Sequence, residues 1–101
     1  PMKYNKLVRD KIPGYIKSKG GMPIVHIAND TEYWEKLKEK LLEEAKEFIE
    51  SESVEEMADI EEVLGAIRTC KKFDQADIEK ARIAKVKERG AFEKKIILEE
   101  S

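Results

Sequence analysis

Residues 30–70 carry the feature that most narrows what this chain can fold into. Apolar side chains return there every three or four positions, with one interruption at Ser51 and Ser53. Trp34, Leu37, Leu41, Ala45 and Phe48 mark one stripe; Met57, Ile60, Val63, Leu64 and Ile67 mark a second. That spacing belongs to an amphipathic α-helix that buries one face. The segment therefore reads as two long helices, residues 30–51 with Asp30 or Thr31 as cap and residues 54–70, joined by a short turn. Antiparallel packing of one stripe on the other is the simplest way to cover both.

The flanks add smaller elements. "RDKIPGYIKSKGG" predicts a short helix capped by Asp10, with Pro13 tolerated in its first turn and Gly20-Gly21 as its stop. "FDQADIEKARIAKVKERG" predicts a further helix, capped by Asp74 and ended by Gly90. "PIVHIA" and "AFEKKIIL" have the β-branched alternation of short strands, which are expected to pair as a ribbon. The expected fold is mainly α: one domain over residues 1–101, an antiparallel bundle of about four helices with a small two-stranded β ribbon. A chain of 101 residues suits one small domain and is too short for two.

Charge patterning is more informative than net charge. The total of −2 argues against a general nucleic-acid binder. Between Asp30 and Glu62, however, fourteen acids face only four lysines, whereas the rest of the chain holds sixteen basic and eight acidic residues. Complementary surfaces of one fold would account for this, as would a cation site beside an anion site. Cys70 is the single cysteine, so a disulfide framework and a thiolate metal cluster are both excluded. With no apolar run of membrane-spanning length and no secretory leader, the expected setting is the cytoplasm, without membrane contact. The opening Pro1-Met2 reads as a processing or cloning remnant before a native start at Met2.

The sharper question concerns carboxylates. Each helical residue advances roughly 100° about the axis, so Glu44 falls about 20° from Leu37, at the edge of the apolar stripe. Glu47 and Glu43 lie progressively farther out. On the following helix, Glu56 projects between Val63 and Ile67, and Asp59 beside Ala66. Two neighbouring helices thus each present an acidic pair, three residues apart, on or beside the packing face. A carboxylate taken from water without a partner costs several kcal/mol or takes up a proton. A divalent cation removes that cost, and hard oxygen donors with no nearby His or Cys favour Mg²⁺ or Mn²⁺ over zinc. A simpler reading stands beside this one: ExxE pairs are common in acidic chains, and Ser53 followed by Glu56 fits a capping box.

"KLLEEAKEF" followed by "EEMADIEEV" resembles the EExxE…ExxD signature of the all-α nucleoside triphosphate pyrophosphohydrolases, the MazG-like superfamily. "YNKLVRDKIP" and "KERGAFEKKIIL" resemble the end motifs of a small single-domain branch proposed to be house-cleaning enzymes, so the likeness covers nearly the whole chain. It implies a helical bundle, usually dimeric or larger, that hydrolyses a nucleoside triphosphate to the monophosphate and pyrophosphate with Mg²⁺. Carried over by motif, Glu44, Glu47, Glu56 and Asp59 would be metal ligands, with Glu43 as a water-orienting or outer-shell residue beside Glu44. Lys6, Arg9 and Lys11 in the opening motif, and Lys85 and Arg89 in the closing one, are the candidates for gripping phosphate oxygens. The eight residues between Glu47 and Glu56 form a shorter link than in many members. Phosphoribosyl-ATP pyrophosphohydrolase shares the chemistry and remains an alternative. A non-catalytic helical module binding nucleotide or a partner helix is another.

Other residues have structural readings. Trp34 occupies an inward position, Cys70 reads as a small buried hydrophobe, and His26 stands alone in its expected strand. Tyr4 and Phe92 suit a nucleotide pocket or apolar packing equally. A chain this short has little room to bury every stripe, so a homodimer or higher homo-oligomer is expected.

Overall fold

The computed structural model describes residues 3–101; the expectation for Pro1 and Met2 lies outside them. Four helices follow one another: α1 Ile12–Ser18, α2 Asp30–Ser51, α3 Val54–Lys71 and α4 Gln75–Arg89. The helical part of the expectation holds, since every expected helix forms.

The expected β ribbon does not. No strand occurs among the described residues, and residues 23–28 and 91–98 run as irregular chain. Ile24 is fully exposed, and Ile27, Phe92, Ile96, Ile97 and Leu98 are also exposed. Alternation and β-branching express fitness for a half-buried pleated surface, and the chain offers these segments no such surface. Unpaired, each lacks the ladder that would make it a strand.

Local chemistry explains the helix ends. Asn29, rather than Asp30 or Thr31, caps α2 by accepting a hydrogen bond from the Glu32 N–H at 2.9 Å. Lys11, rather than Asp10, stands at the start of α1 and supplies no side-chain cap. Asp74 caps α4 by accepting from the Ala76 N–H at 2.8 Å, and Gly90, at φ 84°, closes it. Between α2 and α3 the chain turns in two residues. Glu52 takes the left-handed conformation, φ 53°, while its N–H reaches the Phe48 carbonyl at 2.7 Å. Ser53 then accepts from the Glu56 N–H at 3.2 Å.

This tight reversal packs α2 on α3, the principal helix contact of the molecule. Leu37, 1% exposed, and Val63 form the buried apolar centre. The remaining elements extend outward: the radius of gyration is 18.0 Å, against about 13 Å for a compact chain of this length. Along α4, Ile83 and Val86 face solvent. Among the described residues, no helix is long and apolar enough to cross a membrane.

Candidate metal centre

The two-residue turn sets the register of the site. Glu44 and Glu47 stand within about two or three helical turns before the bend, and Glu56 and Asp59 within about two after it. Folding α2 back on α3 therefore brings both acidic pairs to the same end of the hairpin. Oxygens of Glu44, Glu56 and Asp59 lie within 4.8 Å of one another.

Glu44 is the only buried charged residue among those described, at 6% exposure. Its Oε2 and the Oε2 of Glu56 are buried without a hydrogen-bond partner. The capping box is consequently half made: Ser53 receives the Glu56 N–H, but the Glu56 carboxylate returns no bond to the Ser53 N–H. That carboxylate is turned into the cluster instead.

The electrostatics carry the cost of this placement. Burial pushes the Glu44 pKa upward, and proximity to Glu47 raises it further, although Lys40 works against the rise. Glu56 is raised first by desolvation, then by repulsion from Asp59 and Glu44. Glu47 influences both residues and so belongs to the same electrostatic neighbourhood, although it is not part of the close oxygen triad.

Cations of the chain surround the cluster. Lys40 Nζ lies 3.3 Å from Glu44 Oε1 and 3.3 Å from Glu43 Oε2. Lys6 Nζ donates to Glu43 Oε1 at 2.9 Å, and Arg9 Nη2 donates to Asp59 Oδ1 at 2.7 Å. Partial burial pushes Glu43 upward, but Lys6 and Lys40 outweigh it and hold its pKa below the ordinary value. Lys6 is raised in return, chiefly by its bond to Glu43. A groove of about 210 Å³ opens beside Glu43, between residues 4–7 and the Lys36–Lys40 side of α2.

The donor set suits a small hard cation. Octahedral Mg²⁺ bonds oxygens at about 2.1 Å, which puts opposite ligands about 4.2 Å apart. A triad within 4.8 Å thus needs only small side-chain adjustment. The buried, unpartnered oxygens of Glu44 and Glu56 supply an observation independent of mere acidity.

The sequence-derived candidates separate into two groups. Glu43, Glu44, Glu47, Glu56, Asp59, Lys6 and Arg9 come together. Lys11, Lys85 and Arg89 are exposed, and no hydrogen bond or ion pair joins them to the acidic residues. Lys40 was not among the candidates, yet its contacts make it part of the site. Its signal was present as i,i+3 and i,i+4 spacing to Glu43 and Glu44. Trp34 is half-buried, with Lys71 Nζ 4.7 Å and Lys38 Nζ 5.4 Å from its ring centre. Exposed His26 pairs with Glu32 at 2.8 Å, away from the cluster acids, and Cys70 is half-buried.

No protein-family model matches the chain, and no solved structure matches it. Over 42 residues it is 45% identical to an uncharacterized protein of Mycolicibacterium smegmatis (strain ATCC 700084 / mc(2)155), a stretch covering 42% of this chain and 43% of that protein.

Proposed function

We propose that this chain is a Mg²⁺-dependent nucleoside triphosphate pyrophosphohydrolase of the MazG-like type, acting on noncanonical or excess nucleotides. The observation that carries the reading is the pair of buried, unpartnered carboxylate oxygens on Glu44 and Glu56. A structural ion pair would have satisfied them, and a solvated acidic face would have left them in water.

Glu44, Glu47, Glu56 and Asp59 would hold Mg²⁺, with Mn²⁺ as a substitute. When bound, the metal supplies charge neutralisation for the phosphates and acidification of a coordinated water. Glu43, kept ionised by Lys6 and Lys40, is suited to orient the attacking water by accepting its hydrogen bond. The water oxygen bonds to the α-phosphorus as the bond from that phosphorus to the α–β bridging oxygen breaks. Pyrophosphate leaves, and a site carboxylate accepts the water's proton. Lys6 and Arg9 are close enough to the cluster to redirect their charge to phosphate oxygens. Lys11, Lys85 and Arg89 would need a further approach, from a moving segment or from a second subunit.

A homodimer or larger homo-oligomer belongs to this proposal. Its support is the open shape of the single chain and the exposed Ile83, Val86 and Phe92. Sedimentation at micromolar concentration tests it, and a lone monomer would remove it. The same exposed residues favour a second functional reading, a non-catalytic module that docks on another protein. Product analysis separates the readings. A panel of ordinary, deoxy-, modified and phosphoribosyl nucleotides, with and without Mg²⁺, should yield monophosphate and pyrophosphate only with metal. No turnover on any member would put the docking module first.

A further inference from the structure

The N-terminal segment does more than lie near the acidic hairpin. Residues 6–9 reach both of its helices: Lys6 bonds Glu43 on α2, and Arg9 bonds Asp59 on α3. These contacts span 37 and 50 positions of sequence. Asp59 is also one of the three residues whose oxygens converge. The guanidinium therefore occupies one flank of the place where a cation would sit.

Resting on the reading of that cluster as a cation site, we propose that residues 3–11 act as an exchangeable strap. Arg9 serves as the internal counter-ion of Asp59 until a divalent cation displaces it, and the released guanidinium then takes a phosphate oxygen of the arriving nucleotide. Charge favours such an exchange. A guanidinium held 2.7 Å from Asp59 repels a divalent ion drawn to the same carboxylate. The pair is also built to open. Both side chains retain substantial exposure, so their bond is of the kind that contributes little to stability and breaks readily. Lys6 forms the second, peripheral tie, because Glu43 stands outside the converging triad.

The strap makes opposite predictions from a supporting role. If Arg9 merely orients Asp59 for the metal, removing it weakens cation binding. If Arg9 competes, removing it tightens binding. Free Mn²⁺ measured by electron paramagnetic resonance during titration of the full chain, without nucleotide, reads this directly. Arg9→Gln should bind Mn²⁺ about tenfold more tightly than the parent, the scale of one nearby like charge partly screened by water. Arg9→Lys, which keeps the charge, should stay near the parent. Hydrogen exchange of residues 6–11 in the unaltered protein should accelerate when Mg²⁺ is added.

Equal or weaker Mn²⁺ binding by Arg9→Gln, or a strap more protected with Mg²⁺, overturns the exchange while leaving the metal site standing. Failure of parent and variant alike to bind Mn²⁺ at millimolar concentration removes the metal site, and the strap's role with it.

Discussion

The α2–α3 hairpin and the α4 region carry comparable apolar repeats, but only the hairpin buries them. Leu37 and Val63 disappear between α2 and α3, whereas Ile83 and Val86 on α4 face solvent. The same division holds for charge. The acidic hairpin draws in Lys6 and Arg9 from the N-terminal side, while Lys85 and Arg89 of α4 remain apart. Amphipathic spacing creates a demand for a partner, and the tight turn at Glu52-Ser53 supplies one to the hairpin alone. Within a single chain, α4 has a face and no surface to put it on.

Truncation at the two centres should give the largest contrast. Leu37→Ala removes a fully enclosed side chain and should cost about 2–5 kcal/mol in chemical denaturation. Ile83→Ala should cost under about 0.5 kcal/mol in a dilute monomer. Should the Ile83 variant match the Leu37 variant at high protein concentration, and its loss shrink as protein is diluted to monomer, α4 is buried against another copy.

Next in size is the effect on chemistry of the unpartnered carboxylate in the first turn of α3. Glu56→Gln should lower Mg²⁺-dependent turnover by more than about 100-fold, taking the loss on removing a metal's outer-shell support as a floor. Far-UV circular dichroism should stay native, and the melting temperature of metal-free protein should hold or rise, because a buried repulsive charge has gone. A silent substitution would return Glu56 to a capping role. Arg89→Gln sharpens the other side of the comparison. If α4 serves the site of a second subunit, mixing inactive Glu56→Gln with impaired Arg89→Gln should recover part of the activity; no recovery would confine α4 to packing.

How much of this was legible follows from the range of each interaction. The α2 and α3 helices and the inward bias of Glu44 and Glu56 were readable, because helical projection depends only on neighbours in sequence. Asp74, Ser53 and Gly90 were readable for the same reason. The preference for Asn29 over Asp30 shifts the start by one residue, a choice made by backbone geometry at the cap. The absent ribbon was not readable: strand character in residues 23–28 and 91–98 is a local property, while pairing is a distant one. The Arg9–Asp59 and Lys6–Glu43 contacts were equally hidden, since no periodicity links positions so far apart. Lys40 was within reach through its spacing to Glu43 and Glu44, but it enters the sequence reading only as one of four lysines among fourteen acids.

A pH titration of the metal-free protein should expose the strain in the hairpin and leave α4 almost untouched. Glu44 and Glu56 have raised pKa values, so their contribution to stability is full below the unfolded carboxylate value, about 4.3, and is lost as pH rises through their folded values. Glu43 has the opposite sign, and its contribution is lost as pH falls through its lowered value. The melting temperature should therefore peak in mild acid and decline toward neutrality. Saturating Mg²⁺ should flatten the decline, and a neutral limb that remains sloped with metal would place the strain elsewhere.

The smallest effect distinguishes two lysines of the same N-terminal region. Lys6 is tied to Glu43, whereas Lys11 has no such tie. Lys6→Gln should destabilise by no more than about 1 kcal/mol, the range of a partly exposed ion pair, and the loss should vanish in high salt. Lys11→Gln should change stability by less than about 0.5 kcal/mol at any salt concentration. The double-mutant cycle of Lys6→Gln with Glu43→Gln isolates the tie from the charge that Lys6 also feels from Glu47 and Glu44, and Glu43 from Lys40. A coupling indistinguishable from zero at low salt would mean that Lys6 samples the cluster without being held there. The Arg9–Asp59 ion pair would then hold its flank of the hairpin without a matching tie from Lys6.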